Sequence, residues 1–483
     1  MATTTATING GADGSVRQLP IVLRTTQPTL SIPAVPYLVP TNWRRSQLST
    51  LVNRLLHHGQ DDAATIPFDF IVDGQLLRTS LGEWLLQKGL TEENTVDVYY
   101  VRSTLPPKFS AAFEHDDWIS SVDASRDGLF LTSAYDGALR VYGTSAASDA
   151  LLTHHPNPAP TKDAFSNPAL ASTCWVKSAS TSGDLFAASA GMDGRLRISS
   201  LSLPSDEAST SSASILSVST PFAGANPSPM SSVRASKSGT KVLTAGWDGC
   251  VALWDVDAKT TVAGEEDEDD EEDERGAKRR KGAALTKKTA SSITGPPVPA
   301  TNCRVSGAVF SPESDEVVFS AGWGGAVKQW DAVEGRSTSA KSSDKVIISM
   351  DLMAGNAQSL VLTGHVDRSA ALWDMRNDTT NIAIAFNSAH ALPISSVRAH
   401  PTSANLFATA SHDGLVKLFD LRSPKAALFS ISRPAAEGLG SQKAKKLLAL
   451  DWTNDGQTIV AGGEDKKLSV HRGEGIGRED AAL

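Results

Sequence analysis

From about residue 115 the chain repeats one arrangement of positions: an apolar run rich in β-branched residues, a small-residue step, a turn, and a second such run. It reads LFLTSAYDGALRVY to Tyr142, LFAASAGMDGRLRI to Ile198, KVLTAGWDGCVALWD to Asp255 and VVFSAGWGGAVKQWD to Asp331. It returns as LVLTGHVDRSAALWD to Asp374, LFATASHDGLVKLFD to Asp420 and TIVAGGEDKKLSVH to His471. Alternation of this kind predicts strands packed on both faces, and Asp-Gly between two of them predicts a hairpin. Another short strand precedes each pair: WISSVDAS, STCWVKSAS, SSVRASKS, VSGAVFSP, VIISMDLM, ISSVRAHP and LLALDWTN. The turn positions Asp136, Asp193, Asp248, Gly324, Asp367, Asp413 and Asp465 lie 57, 55, 76, 43, 46 and 52 residues apart. A bare four-stranded unit needs roughly 40–45 residues, so the longer spacings carry inserted loops.

The first hundred residues follow a different pattern. Strand-like QLPIVLRTT precedes SIPAVPYLVP, and Leu48, Leu51, Val52, Leu55 and Leu56 then fall on one helical face. FDFIV, the turn Asp73-Gly74 and QLLR read as a hairpin. Ser80 caps a short helix, LGEWLLQK, that Gly89 stops, and TVDVYYV alternates as a last strand. The order strand-strand-helix-strand-strand-helix-strand resembles a ubiquitin-like β-grasp.

Trp254-Asp255, Trp330-Asp331 and Trp373-Asp374 give the seven copies their resemblance to WD repeats. The resemblance covers about three quarters of the chain and implies a seven-bladed β-propeller. The expected fold is mainly β, a WD-repeat propeller preceded by a ubiquitin-like α+β domain. Closure in such propellers borrows an outer strand from the far end of the chain, and Lys108–Glu114 (KFSAAFE) is the candidate, leaving no free sheet edge. The expected division is residues 1–15 disordered, 16–103 ubiquitin-like, 104–476 propeller with a disordered insertion at 258–299, and 477–483 a tail. Ser/Ala-rich stretches at 143–170 and 199–229 read as surface loops.

Charge and composition sharpen this picture. The 483 residues carry a net charge of −9, and 40% hydrophobic against 20% charged content supports a packed core. Ten acidic residues form one run, Glu265–Glu274, and the remainder is nearly neutral, so bulk charge does not favour a broad nucleic-acid surface. Basic Lys278, Arg279, Arg280 and Lys281 follow, readable as a nuclear import signal or as a counterweight to the acids. Cys174, Cys250 and Cys303 have no disulfide or zinc spacing and fit a reducing compartment. The first residues lack a basic, then apolar, leader, and no apolar run approaches membrane length, so a soluble intracellular protein is expected.

No phosphate-binding Gly-Lys motif, nucleophile elbow or His-Glu zinc motif is present, so the chain is not expected to be an enzyme or to carry a cofactor. His390, Ser411 and Asp413 imitate a triad, but in WD repeats these positions form a buried hydrogen-bond network; Phe419 stands where its Trp belongs. The residue before each turn Asp lies at the top rim of the channel in a propeller. Tyr135, Met192, Trp247 and Trp323 hold that position in succession, either as a partner-binding patch or as packing between blades. Trp373-Asp374-Met375-Arg376, and nearly Phe419-Asp420-Leu421-Arg422, match the WDxR pattern of cullin-ring substrate receptors, an alternative function.

The domain pairing, with FDFIVDGQLLRTSL, LPPKF and HDDWISSV, resembles the Ytm-type WD-repeat ribosome-biogenesis proteins. Membership implies an assembly factor for the large (60S) ribosomal subunit, needed for pre-rRNA processing and located in the nucleolus and nucleoplasm. Its implied partners are Pescadillo, a Bop-type WD-repeat protein bound propeller to propeller, the pre-60S particle, and the ATPase midasin. In that family, and in the Notchless type, the ubiquitin-like domain offers one carboxylate to a Mg²⁺ held by midasin. The family's acid aligns with Glu93, in the loop LTEEN, and Glu92 is the runner-up.

Overall fold

The computed structural model describes residues 17–56, 65–91, 93–144, 149–157, 168–177, 185–203, 211–218, 228–256, 292–294, 303–355, 359–376, 382–433 and 445–477. The chain divides into two compact units that part between Thr104 and Leu105.

The first unit holds β1 (Gln18–Arg24), β2 (Pro36–Pro40), α1 (Arg45–Leu55), β3 (Phe68–Val72), β4 (Gln75–Leu76), α2 (Leu81–Lys88) and β5 (Val96–Arg102). Its sheet runs β2-β1-β5-β3-β4, with β1 and β5 parallel at the centre and the other pairs antiparallel, which is the β-grasp order. One face is buried: Leu19, Ile21, Leu23, Phe68, Phe70, Val98 and Tyr100 pack on Leu48 and Val52 of α1 and on Leu81 and Leu85 of α2. Leu51, Leu55 and Leu56 flank this core, as the helical spacing predicts. The Ser80 hydroxyl accepts the Glu83 N–H, and the Glu83 carboxylate accepts the Ser80 N–H, both at 3.3 Å, so a capping box starts α2.

Among the described residues the second unit contains seven four-stranded antiparallel sheets. Their innermost strands are Ile119–Arg126, Leu170–Val176, Met230–Ala235, Val305–Phe310, Ile347–Leu352, Ile394–Ala399 and Leu447–Trp452. Each packs on the next, and the last packs on the first, which closes a ring. Small residues line its axis, Ser121, Ser172, Ser232, Gly307, Ser349, Ser396 and Ala449, because seven strands converge there. The register of every innermost strand slips just before these residues. The slipped residue in three blades is a serine whose hydroxyl donates to a carbonyl of the next blade: Ser231 to Val305, Ser306 to Ile347 and Ser395 to Leu447. The bulge therefore aims a side chain sideways and staples neighbours.

The seventh sheet takes its outer strand from the start of the unit. Strand β6 (Lys108–Glu114) pairs antiparallel with Lys467–Arg472, as the sequence predicts. Three other outer strands correct the sequence reading. Leu152–His154, Ser212–Val218 and Ser292–Thr294 complete the first three sheets, although two lie in stretches read as loops and the third inside the expected disordered insertion. An outermost strand covers a sheet edge by backbone bonding and needs few large apolar residues, so Ser/Ala-rich sequence hides it. The acidic run Glu265–Glu274 and the basic cluster Lys278–Lys281 lie outside the described residues.

Candidate functional site

Glu93 lies exposed in the turn between α2 and β5. Gly89 ends α2 with φ 67°, a left-handed conformation that glycine adopts without a Cβ penalty. The Leu90 N–H reaches back to the Leu85 carbonyl at 3.1 Å, and the Asn94 N–H points to the Thr91 carbonyl at 3.5 Å. On the far side Val96 enters β5 paired with Ile21 of β1. A short, doubly anchored turn thus holds the solvent-facing Glu93 carboxylate. Among the described residues no group of three or more His, Cys, Asp or Glu side chains is placed to hold a metal. The Glu93 carboxylate can give an oxygen to a hard cation, which takes about six or more such ligands. Glu92 lies outside the described residues.

The rim residues share one backbone device. The N–H groups of Tyr135, Met192, Trp247, Trp323, Val366, His412 and Glu464 donate to the carbonyls of Trp118, Ala169, Pro229, Arg304, Val346, Pro393 and Lys446, at 2.9 to 3.2 Å. Each acceptor immediately precedes an innermost strand, so all seven positions stand at one end of the ring. Behind them Asp136, Asp193, Asp248, Asp367, Asp413 and Asp465 each accept the N–H two residues on, forming the tight turns; Gly324 holds the seventh position. Tyr135 and Met192 are half-buried, whereas Trp247 and Trp323 are 36% and 48% exposed. Sequence reading missed two rim residues. Trp118, 39% exposed, lies beside Tyr135, and the Arg304 guanidinium carbon stands 3.8 Å from the Trp247 ring centroid and 4.8 Å from that of Trp323. Their common signal is their place just before an innermost strand.

His390 forms part of a structural network, with one correction. Its Nδ1 lies 2.9 Å from Asp413 Oδ2, and its Nε2 lies 2.7 Å from Thr409, not Ser411. The Ser411 hydroxyl donates to the Leu392 carbonyl and accepts the Asp413 N–H. The reason is strand alternation: Thr409 lies two residues nearer the sheet centre on the same side, level with the imidazole. Phe419 cannot supply the indole donor of a Trp and instead stacks on Phe407, centroids 5.3 Å apart. Where Trp is present the bond forms: Trp254 to Thr244, Trp330 to Ser320 and Trp373 to Thr363, at 2.7 to 2.9 Å. In the WDxR match, Arg376 forks onto Asp374 with both bonds at 2.9 Å, and Arg422 onto Asp420 at 3.0 and 2.7 Å, so each guanidinium is engaged locally. Cys174 is buried and its thiol is pushed up by burial, which suits a packing residue rather than a reactive one.

The NLE (NUC135) domain family matches residues 19–85, and the WD domain, G-beta repeat family matches residues 108–143, 217–255, 383–420 and 439–472. The ribosome biogenesis protein YTM1 of Laccaria bicolor is 32% identical over 97% of this chain and 98% of its own length. The ytm1 protein of Schizosaccharomyces pombe is 30% identical over 96% and 98%, and the WDR12 homolog of Oryza sativa is 30% identical over 96% and 99%. A mixed α/β domain in the NLE stretch, a ring of four-stranded WD blades and end-to-end relatives agree: the chain belongs to the YTM1/WDR12 family of ribosome biogenesis proteins.

Proposed function

We propose that this chain is a non-enzymatic assembly factor of the large (60S) ribosomal subunit, required for pre-rRNA processing, acting in the nucleolus and nucleoplasm with Pescadillo and a Bop-type WD-repeat protein. The propeller binds the Bop-type partner on the pre-60S particle, and the rim of Tyr135, Met192, Trp247 and Trp323 is a candidate partner-binding surface. The β-grasp domain is the handle for midasin, which strips the complex from the particle. Glu93 completes the coordination of a Mg²⁺ that midasin brings; the chain needs no cofactor of its own. Lys278, Arg279, Arg280 and Lys281 serve nuclear import.

One observation carries the reading: the exposed Glu93 carboxylate on a doubly anchored turn, in a unit whose residues 19–85 match the NLE family. A carboxylate so placed reaches a partner's metal without local rearrangement, so little ordering entropy is lost on binding. The test is sedimentation of the tagged chain through a sucrose gradient, with co-purification. Migration with 60S precursors, Pescadillo and midasin is the expected result. Migration at the top of the gradient with cullin adaptors would overturn it.

A further inference from the structure

Arg304 occupies a different setting from the other rim arginines. Arg140 pairs with Asp136 at 2.7 Å and Arg197 with Asp193 at 2.5 Å, so in the first two blades the turn aspartate absorbs a guanidinium. In the fourth blade the turn position is Gly324, where a Cβ would stand 3.0 Å from Cys303 Sγ, so the turn beside Trp323 brings no carboxylate. The Arg304 guanidinium has no hydrogen bond or ion pair among the described residues; its contacts are the two indole faces. Both turns are already fixed by backbone bonds, Trp247 to Pro229 and Trp323 to Arg304, so blade packing does not require the indoles to be exposed.

We propose that Trp247, Arg304 and Trp323 form a clamp for a single carboxylate side chain of a protein partner. Cation–π contact with both indoles holds the guanidinium in place, and its N–H groups, unbonded among the described residues, can make a forked, two-bond contact with a carboxylate. Protein is favoured over nucleic acid by the surrounding charge. Arg140, Arg197, Lys345 and Arg433 at the same end of the ring are already paired with Asp136, Asp193, Asp367 and Asp465, so those cations are not free to follow a phosphate backbone. A single carboxylate needs only one guanidinium, and that of Arg304 has no ion pair among the described residues. Exposed Trp and Arg at the centre of a contact is the composition of a binding hot spot.

The clamp rests on the proposed function in one respect, that the Bop-type protein is the partner supplying the acid. The test therefore has two arms, both on the full chain. In the first, affinity for the purified Bop-type protein is measured for the wild type, Arg304→Gln and Arg304→Lys. Arg304→Gln is expected to weaken binding by about tenfold or more and Arg304→Lys by less, with thermal midpoints unchanged. Wild-type affinity in Arg304→Gln overturns the clamp and leaves the partnership standing. Absence of wild-type binding overturns the partnership, and the second arm then decides the clamp. There, 5-fluorotryptophan-labelled protein is titrated with the peptide acetyl-Gly-Glu-Gly-amide, its Gln counterpart and inorganic phosphate, with signals assigned by Trp247→Phe and Trp323→Phe. The Glu peptide alone is expected to shift those two of the ten tryptophan signals. A shift with phosphate alone, or with none of the three, overturns the clamp.

Discussion

Asp451 accepts the Ala124 N–H at 2.8 Å and so joins the seventh blade of the ring to the first. The same device recurs where Asp123 accepts the Trp175 N–H and Asp351 accepts the Ala399 N–H, at 2.8 and 2.9 Å. Each aspartate stands at the same place on its innermost strand, so an inter-blade bond replaces the hydrogen bonding that separate sheets lack. The other oxygen of Asp451 faces Arg398 Nε at 3.1 Å.

Asp451→Ala removes the bond across the closure and leaves Arg398 buried without that partner. Loss of one member of a buried pair costs about 3–5 kcal/mol, and the urea midpoint should fall accordingly. Asp344→Ala, at an exposed position, should change stability by no more than about 0.5 kcal/mol. Equal midpoints for the two variants would show that the contact adds nothing.

Closure by β6 makes a second prediction. Phe113 is 2% exposed and packs on Tyr142 and Phe130, with centroids 4.8 and 6.3 Å away. Phe113→Ala should cost about 3–5 kcal/mol. Amide exchange should speed up most in Lys467–Arg472, the strand that β6 covers. Exchange rising elsewhere first would mean that the ring is not held shut there.

The pH dependence follows from three histidines. Burial holds His115, His365 and His471 down to about 4. An unfolded histidine takes its proton near 6.5, so between about 6.5 and 4 the unfolded chain binds more protons and stability falls as pH falls. Asp451, raised by burial, takes up a proton in the folded state and offsets part of this loss. Burial pushes Asp413 and Asp367 up, but hydrogen bonds from His390 to the first and from Lys345 and Ser369 to the second bring both to about 2. Their contribution is present above about 4 and is lost as pH drops toward 2. The thermal midpoint should therefore decline steadily below 6.5, and His115→Gln should flatten the first part of the decline. A midpoint flat from pH 6.5 to 4 would contradict these burials.

Much of this architecture was legible in the sequence because it is written in local chemistry. Asp-Gly turns, the Ser80 cap with its Gly89 stop and the apolar face of α1 each depend on residues a few positions apart. The outer strands Leu152–His154, Ser212–Val218 and Ser292–Thr294 were not legible, since pairing at an edge demands little of side chains. Choosing Thr409 over Ser411 required the strand's facing, which the motif alone leaves ambiguous by one repeat of the alternation. Arg304 between Trp247 and Trp323 emerges only when the third and fourth blades stand side by side, because nothing near Arg304 in sequence marks the indole of Trp247. Glu93 was located by family resemblance; its exposure is seen only in the fold.

The most direct test concerns the Glu93 carboxylate. The full chain is titrated against the adhesion domain of midasin, in Mg²⁺ and again with the metal chelated. Wild type is expected to bind only in Mg²⁺, Glu93→Asp more weakly because the reach is about one methylene shorter, and Glu93→Ala not at all, with thermal midpoints unchanged since the residue is exposed. Glu92→Ala should be mild. Normal Mg²⁺-dependent binding by Glu93→Ala, or loss of binding by Glu92→Ala in its place, would contradict the assignment of Glu93 as the residue that reaches the metal.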